Sequence, residues 1–170
     1  MQSGLVVLNV FAFVWGGVAL WGLQAPLWSW TAPALISGAQ LAWTWRVRSG
    51  FPARDESESR RIGRLVGLWS AVEGLAVFVV ANLLLNIGMT RLIWPAIGLI
   101  VGLHFLPLAR GMARPIYYAT AAGTIAASLI AMTLPGPWPQ VFVGCAAALV
   151  LWATSLAILR RTSRAQRAAA

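Results

Sequence analysis

Six apolar stretches, each close to the length of a bilayer-crossing helix, follow one another along this chain, and charge is confined to short islands between them. A helix that spans the hydrocarbon core needs roughly 20 apolar residues. The stretches fall at about 4–23, 25–45, 65–86, 91–109, 116–134 and 139–159. With 59% hydrophobic and 10% charged residues, the chain is too apolar for an ordinary soluble domain. The pattern predicts an all-α, polytopic membrane protein. Six transmembrane helices form a compact bundle over 1–159, followed by a basic tail over 160–170 that is expected to fray.

The breaks carry turn chemistry. Gln24-Ala25-Pro26 separates the first two stretches, and the polar 46–64 segment separates the second from the third. Asn86 to Arg91, Arg110 to Pro115 and Leu134-Pro135-Gly136-Pro137 divide the rest. Proline fixes φ and cannot donate to a continuing helix, so it suits such turns. Pro95 and Pro107 bracket the fourth stretch, where local unwinding would free backbone carbonyls for a site.

Arginine placement orients the chain. All 13 basic residues are arginine. The 46–64 loop carries Arg46, Arg48, Arg54, Arg60, Arg61 and Arg64, the 110–115 turn carries Arg110 and Arg114, and the tail carries Arg160, Arg161, Arg164 and Arg167. The alternate connections hold only Arg91. By the positive-inside rule both termini are cytoplasmic and the protein is a multi-pass cell-membrane protein. The arginines are expected to attract anionic lipid headgroups, with membrane lipids as the general partner. Trp21, Trp28, Trp30, Trp94 and Trp138 fall near the outer boundary and Trp43, Trp45 and Trp69 near the inner one, as in an interfacial aromatic belt. Trp15 and Trp152 lie deeper and are expected to pack between helices.

Several classes are excluded. The basic residues form no continuous helix or aromatic platform, so the net charge of +9 does not indicate nucleic-acid binding. Cys145 is the only cysteine and His104 the only histidine, which leaves no intrachain disulfide and no dedicated zinc or haem cluster; no cofactor or metal is expected. Met1-Gln2-Ser3 lacks the positive region of a secretory signal, so the first stretch reads as a retained helix. There is no G-x-S-x-G elbow, H-E-x-x-H, P-loop or dinucleotide fingerprint, and the reading leans away from an enzyme.

Against this background two residues stand out. Asp55, Glu56 and Glu58 sit together in a polar loop, whereas Glu73, the fourth acid, falls inside the third stretch, and His104 inside the fourth. An ionisable group in a bilayer costs about 2.5 kcal/mol or more unless paired or wet, which makes it a candidate functional site. Counting 1.5 Å per residue, Glu73 lies roughly 13 Å beyond Arg64 and His104 roughly 9 Å before Arg110. Similar counting puts Asn9, Gln40, Ser70 and the Tyr117–Tyr118 pair in the same half. One polar layer is therefore expected to collect Asn9, Gln40, Ser70, Glu73, His104, Tyr117 and Tyr118 as a ligand or proton site. Asn82 and Asn86 share another face and are expected to form an interhelical bond.

Gly98-xxx-Gly102, Ala119-xxx-Gly123-xxx-Ala127 and Gly144-xxx-Ala148 let helices approach closely. They are expected mainly within the chain, with a homo-oligomer interface as the alternative. Three functions fit. The first is proton-linked transport or binding of a small ligand, centred on Glu73 and His104. The second is a structural or accessory subunit in which the same two residues clamp helices together. The third is an intramembrane enzyme acting on a lipid-like substrate.

Overall fold

The computed structural model describes residues 2–48 and 55–169, and over these the chain is helical with no strands. Six α-helices follow in order: α1 (Gln2–Gly22), α2 (Thr31–Arg46), α3 (Glu56–Asn86), α4 (Ile93–Gly111), α5 (Ile116–Thr133) and α6 (Trp138–Ala169). Short 3₁₀ turns, Leu27–Trp30 and Thr90–Leu92, lead into α2 and α4. All but α2 are long and apolar enough to cross a membrane.

The distribution of polarity is inverted relative to a soluble bundle. α2 buries Pro33, Ser37, Gln40 and Thr44 while Leu35 is 72% exposed. α5 buries Thr120, Thr124 and Ser128 at four-residue spacing and exposes Leu129 and Ile130. A helix that turns hydroxyls inward and leucines outward needs an apolar solvent. The buried hydroxyls are satisfied locally: Thr124 Oγ1 donates to the Thr120 carbonyl at 2.9 Å and Ser128 Oγ to the Thr124 carbonyl at 2.8 Å. Across the interface, the Thr120 and Thr154 hydroxyls bond at 2.7 Å, joining α5 to α6.

α1 packs most extensively on α6, α4 on α5, and α5 on α6, so these four helices form the core. Small residues set the spacing. A Cβ on Gly144 would lie 2.6 Å from the Ala19 amide nitrogen and 2.8 Å from the Trp15 carbonyl oxygen, so α6 touches the backbone of α1 itself. Gly98 similarly faces Ser128, and Gly102 faces Ile125. The small-residue stripes thus serve contacts within the chain. Trp15 is buried, and the Trp152 indole donates to Ser37 Oγ at 2.9 Å, in keeping with their deep placement.

Helix ends differ from expectation in two places. The polar 46–64 segment is not loop throughout, because α3 already begins at Glu56; its middle, 49–54, lies outside the described residues. Asp55 caps the helix: its carboxylate accepts from the Glu58 amide and from the Ser57 hydroxyl, each at 2.7 Å. Glu56 and Glu58 then sit in the first turn, where the helix dipole favours negative charge. The tail is helical as well. α6 continues to Ala169 because it docks on the end of α2, with the Trp43 indole donating to Ser163 Oγ (3.1 Å) and Gln166 Nε2 to the Val47 carbonyl (3.4 Å).

α4 runs unbroken across Pro107, so the unwinding expected there does not occur. It ends in a Schellman turn, with the Ala113 amide donating to the Arg110 carbonyl (3.3 Å) and the Arg114 amide to the Ala109 carbonyl (3.0 Å). Ala113 takes the left-handed conformation that closes this motif, at φ 50°. α3 packs on α4 and contributes little elsewhere; Ile62 is its only buried residue. Asn82 does not bond to another helix: it is exposed, and its amide donates to the Phe78 carbonyl of α3 at 2.7 Å.

Gly144→Ala is expected to cost about 1–3 kcal/mol in thermal unfolding of the reconstituted protein, because backbone rather than a mobile side chain must yield. Gly67→Ala, which meets nothing within 4 Å, is expected to be tolerated. The hydrogen bonds from the Glu58 amide and Ser57 hydroxyl hold the Asp55 carboxyl below its ordinary value of 3.8. The cap is therefore fully formed above that value and lost as pH falls through the lowered one. Amide exchange at Glu58, corrected for its intrinsic pH dependence, should lose protection over that acidic window in the wild type and lack it at all pH values in Asp55→Ala.

Candidate functional site

α3 and α4 run antiparallel from the Gly88 turn, and each puts one titratable side chain into the contact between them. Glu73 Oε2 lies 3.4 Å from His104 Nδ1. Their side chains are 17% and 10% exposed, against 87% and 68% for the surface pair of Glu56 and Arg60. His104 Nδ1 also lies 3.1 Å from the Trp69 carbonyl oxygen, one helical turn before Glu73. A carbonyl can only accept, so this geometry assigns a proton to Nδ1. One turn of α3 thus offers the imidazole both a backbone and a side-chain oxygen.

The pair borders a cavity of about 260 Å³. α1 contributes Leu5, Leu8 and Phe11, α4 contributes Val101, Phe105 and Leu108, and α6 contributes Leu151 and Ile158. Against this apolar lining stand Ser70, Glu73, His104, Arg114 and Tyr117. α1 and α3 form two sides of the cavity without packing extensively on each other, so it opens between them. Val7, Phe11 and Ser70 at this opening are exposed.

Four of the seven expected site residues therefore meet at one cavity: Ser70, Glu73, His104 and Tyr117. Three do not. Tyr118 is 47% exposed and points away. Asn9 and Gln40 are buried in a separate polar cluster between α1, α2 and α6. Asn9 Nδ2 donates to Ser155 Oγ and to the Leu5 carbonyl, both at 2.9 Å, and Ser37 Oγ donates to the Asn9 carbonyl at 3.1 Å. Gln40 Nε2 reaches the Trp152 carbonyl at 3.4 Å. Depth along a helix is countable from sequence, but rotation about its axis is not, and rotation separates the two clusters.

Sequence reasoning missed Arg114 and the Trp69 carbonyl. Arg114 reads as a topology charge, yet it lines the cavity just after the Schellman turn, which has alanine where glycine would have signalled it. The buried hydroxyls of α5 were also missed, although the spacing of Thr120, Thr124 and Ser128 was there to be read.

The chain matches no protein-family model, no curated protein and no solved structure. The fold defines the class: an all-α, multi-pass integral membrane protein with a titratable pair beside an apolar cavity.

Separate clusters should respond separately. Asn9→Ala is expected to lower stability by about 0.6–1.7 kcal/mol, the range of one interhelical hydrogen bond in a membrane. It should leave the titration of the Glu73 carboxyl unchanged, as read by infrared difference spectroscopy.

Proposed function

We propose that this is a six-span cell-membrane protein that binds or transports a small ligand in a proton-linked manner through the cavity between α1 and α3. The single observation that carries the reading is the Glu73–His104 pair, 3.4 Å apart in the wall of an otherwise apolar cavity. A carboxylate and an imidazole in such a setting can share one proton, and an ionised pair there is costly unless its function repays it.

The six-span count is supported by length. α2 alone measures about 24 Å. The preceding 3₁₀ turn adds about 8 Å at its larger rise per residue. Together they reach the thickness of the hydrocarbon core, about 30 Å. Arg46 and Arg110 lie in the last turns of α2 and α4, Arg114 in the turn before α5, Arg64 in the first third of α3 and Arg160 in the last third of α6, a one-sided pattern that supports cytoplasmic termini.

In the proposed mechanism, the Glu73 carboxyl exchanges a proton with the cavity, while the Nδ1–H of His104, which faces both Glu73 Oε2 and the Trp69 carbonyl, stabilises the carboxylate. Ligand entry displaces water beside the pair and changes the cost of separating its charges. Binding and proton transfer are then thermodynamically linked, each altering the other by the same factor.

A second reading, a structural or accessory subunit, is favoured by the Trp69 contact, since the imidazole also fastens α3 to its main neighbour. Infrared titration of the reconstituted protein separates the two. Proton linkage predicts a titrating carboxyl band that vanishes in Glu73→Gln and whose midpoint moves in His104→Ala. A carboxylate ionised throughout and indifferent to His104→Ala would overturn the proposal and leave the interhelical clamp.

A further inference from the structure

A groove separate from the Glu73 cavity lies between α2 and α6, where α2 ends and α6 runs on; the two linings share no residue. It encloses about 860 Å³, within the range of ligand sites. α2 lines it with Ala39, Ala42, Trp43 and Arg46, which share one helical face at i, i+3, i+4 and i+7. α6 adds Ser163 and Arg167, one turn apart on a face of their own. Two bonds fasten these walls to each other, from Trp43 Nε1 to Ser163 Oγ and from Gln166 Nε2 to the Val47 carbonyl. The methyl side chains of Ala39 and Ala42 leave room beside the Trp43 indole.

Charge and depth add two further constraints. Arg46 and Arg167 are exposed, and neither forms an ion pair with a described residue. Their own helices offer no partner: α2 and α6 contain no aspartate or glutamate, and all four acids of the chain lie between 55 and 73. Gln40 and Trp43 meet Trp152 and Ser163 in the same order, so the two helices run parallel. Both arginines therefore stand on the same side of the indole. Counting the rise per residue, Arg46 is roughly 4.5 Å beyond Trp43 and Arg167 roughly 6 Å beyond Ser163. An indole with guanidinium groups just outside it follows the layering of a bilayer interface, and Ala39 and Ala42 then lie on the hydrocarbon side.

We infer that this groove binds an anionic phospholipid, its phosphate between Arg46 and Arg167 and an acyl chain along Ala39 and Ala42. Arginine suits the role because its planar fork engages phosphate oxygens through two parallel hydrogen bonds. Basic pockets between transmembrane helices bind lipid headgroups by this chemistry. The Ser163 hydroxyl accepts from Trp43 and keeps its own proton to donate. No carboxylate among the described residues lines either wall, so the ammonium of a zwitterionic head finds no partner there. The apolar strip beneath the arginines favours a lipid over a soluble phosphate. The site is independent of the Glu73–His104 pair and stands whether or not that cavity binds a ligand.

The test uses the full chain reconstituted in phosphatidylcholine vesicles. Trace phosphatidylglycerol or phosphatidylcholine carries a diazirine in the chain close to the glycerol, and crosslinks are mapped by peptide mass spectrometry. The expected result is that the phosphatidylglycerol probe labels Ala42, Trp43 and Ser163 about tenfold more than the phosphatidylcholine probe, as for one charge-assisted bond. Unlabelled phosphatidylglycerol should compete. Arg46→Gln and Arg167→Gln should each reduce the preference, and the double variant should abolish it. Arg161→Gln removes the same charge from the same helix outside the groove and should leave it intact. Equal labelling by the two probes would overturn the proposal. An equal loss in Arg161→Gln would replace the site with diffuse attraction to the basic end of the bundle. Displacement of the probe by soluble glycerol 3-phosphate but not by phosphatidylglycerol would point to a free phosphate and overturn the lipid. The comparison of probes and competitors is made on the wild-type protein, so it survives a variant that fails to fold.

Discussion

Inside a bilayer there is no water to take up a polar group that the protein leaves unpaired, and this constraint arranges the rest of the molecule. It explains why Ser37 and Thr44 face inward on α2 while Leu35 faces out, and why the hydroxyls of α5 bond back to their own helix. It also explains the role of the small residues. Apolar side chains gain little from meeting one another when lipid is equally apolar, so close backbone contact must supply the cohesion, as where Gly144 meets α1. Glu73 and His104 obey the same rule, each facing the other across the contact between α3 and α4.

The two polar clusters divide the bundle into regions of different character. Asn9, Ser37, Gln40, Trp152 and Ser155 tie α1, α2 and α6 together in a packed interior. On the other side α3 stands against α4, with a cavity between it and α1. Chemistry and space therefore coincide on the side with fewer helix contacts. A binding wall that rests mainly on one neighbour can adjust to a ligand without disturbing the α1–α6 contact.

Much of the fold was legible in the sequence because it depends on period and length. Apolar runs of bilayer length gave the helices, and the Pro and Gly residues marked most breaks. The start of α3 was harder to read. Asp55-Glu56-Ser57-Glu58 carries a capping signature, but its charge made it resemble a loop. The length of α6 was not legible because it depends on tertiary docking of Ser163 and Gln166 on α2. At the site, counting residues brought Glu73 and His104 to one depth, and they do meet. The same counting grouped Asn9, Gln40 and Tyr118 with them, and failed because it carries no information on which way each helix is turned.

The bond between Asn9 and Ser155 joins residues 146 positions apart. A ribosome adding about 5–20 residues per second takes roughly 7–30 s to cover that distance. Throughout that interval the first helix has been made and its amide has no hydroxyl to meet. Nor can the backbone contact at Gly144 form until the last helix arrives. The N-terminal helix therefore waits for the C-terminal one, and during biosynthesis its polar face must be sheltered by the insertion machinery, by water or by a temporary neighbour.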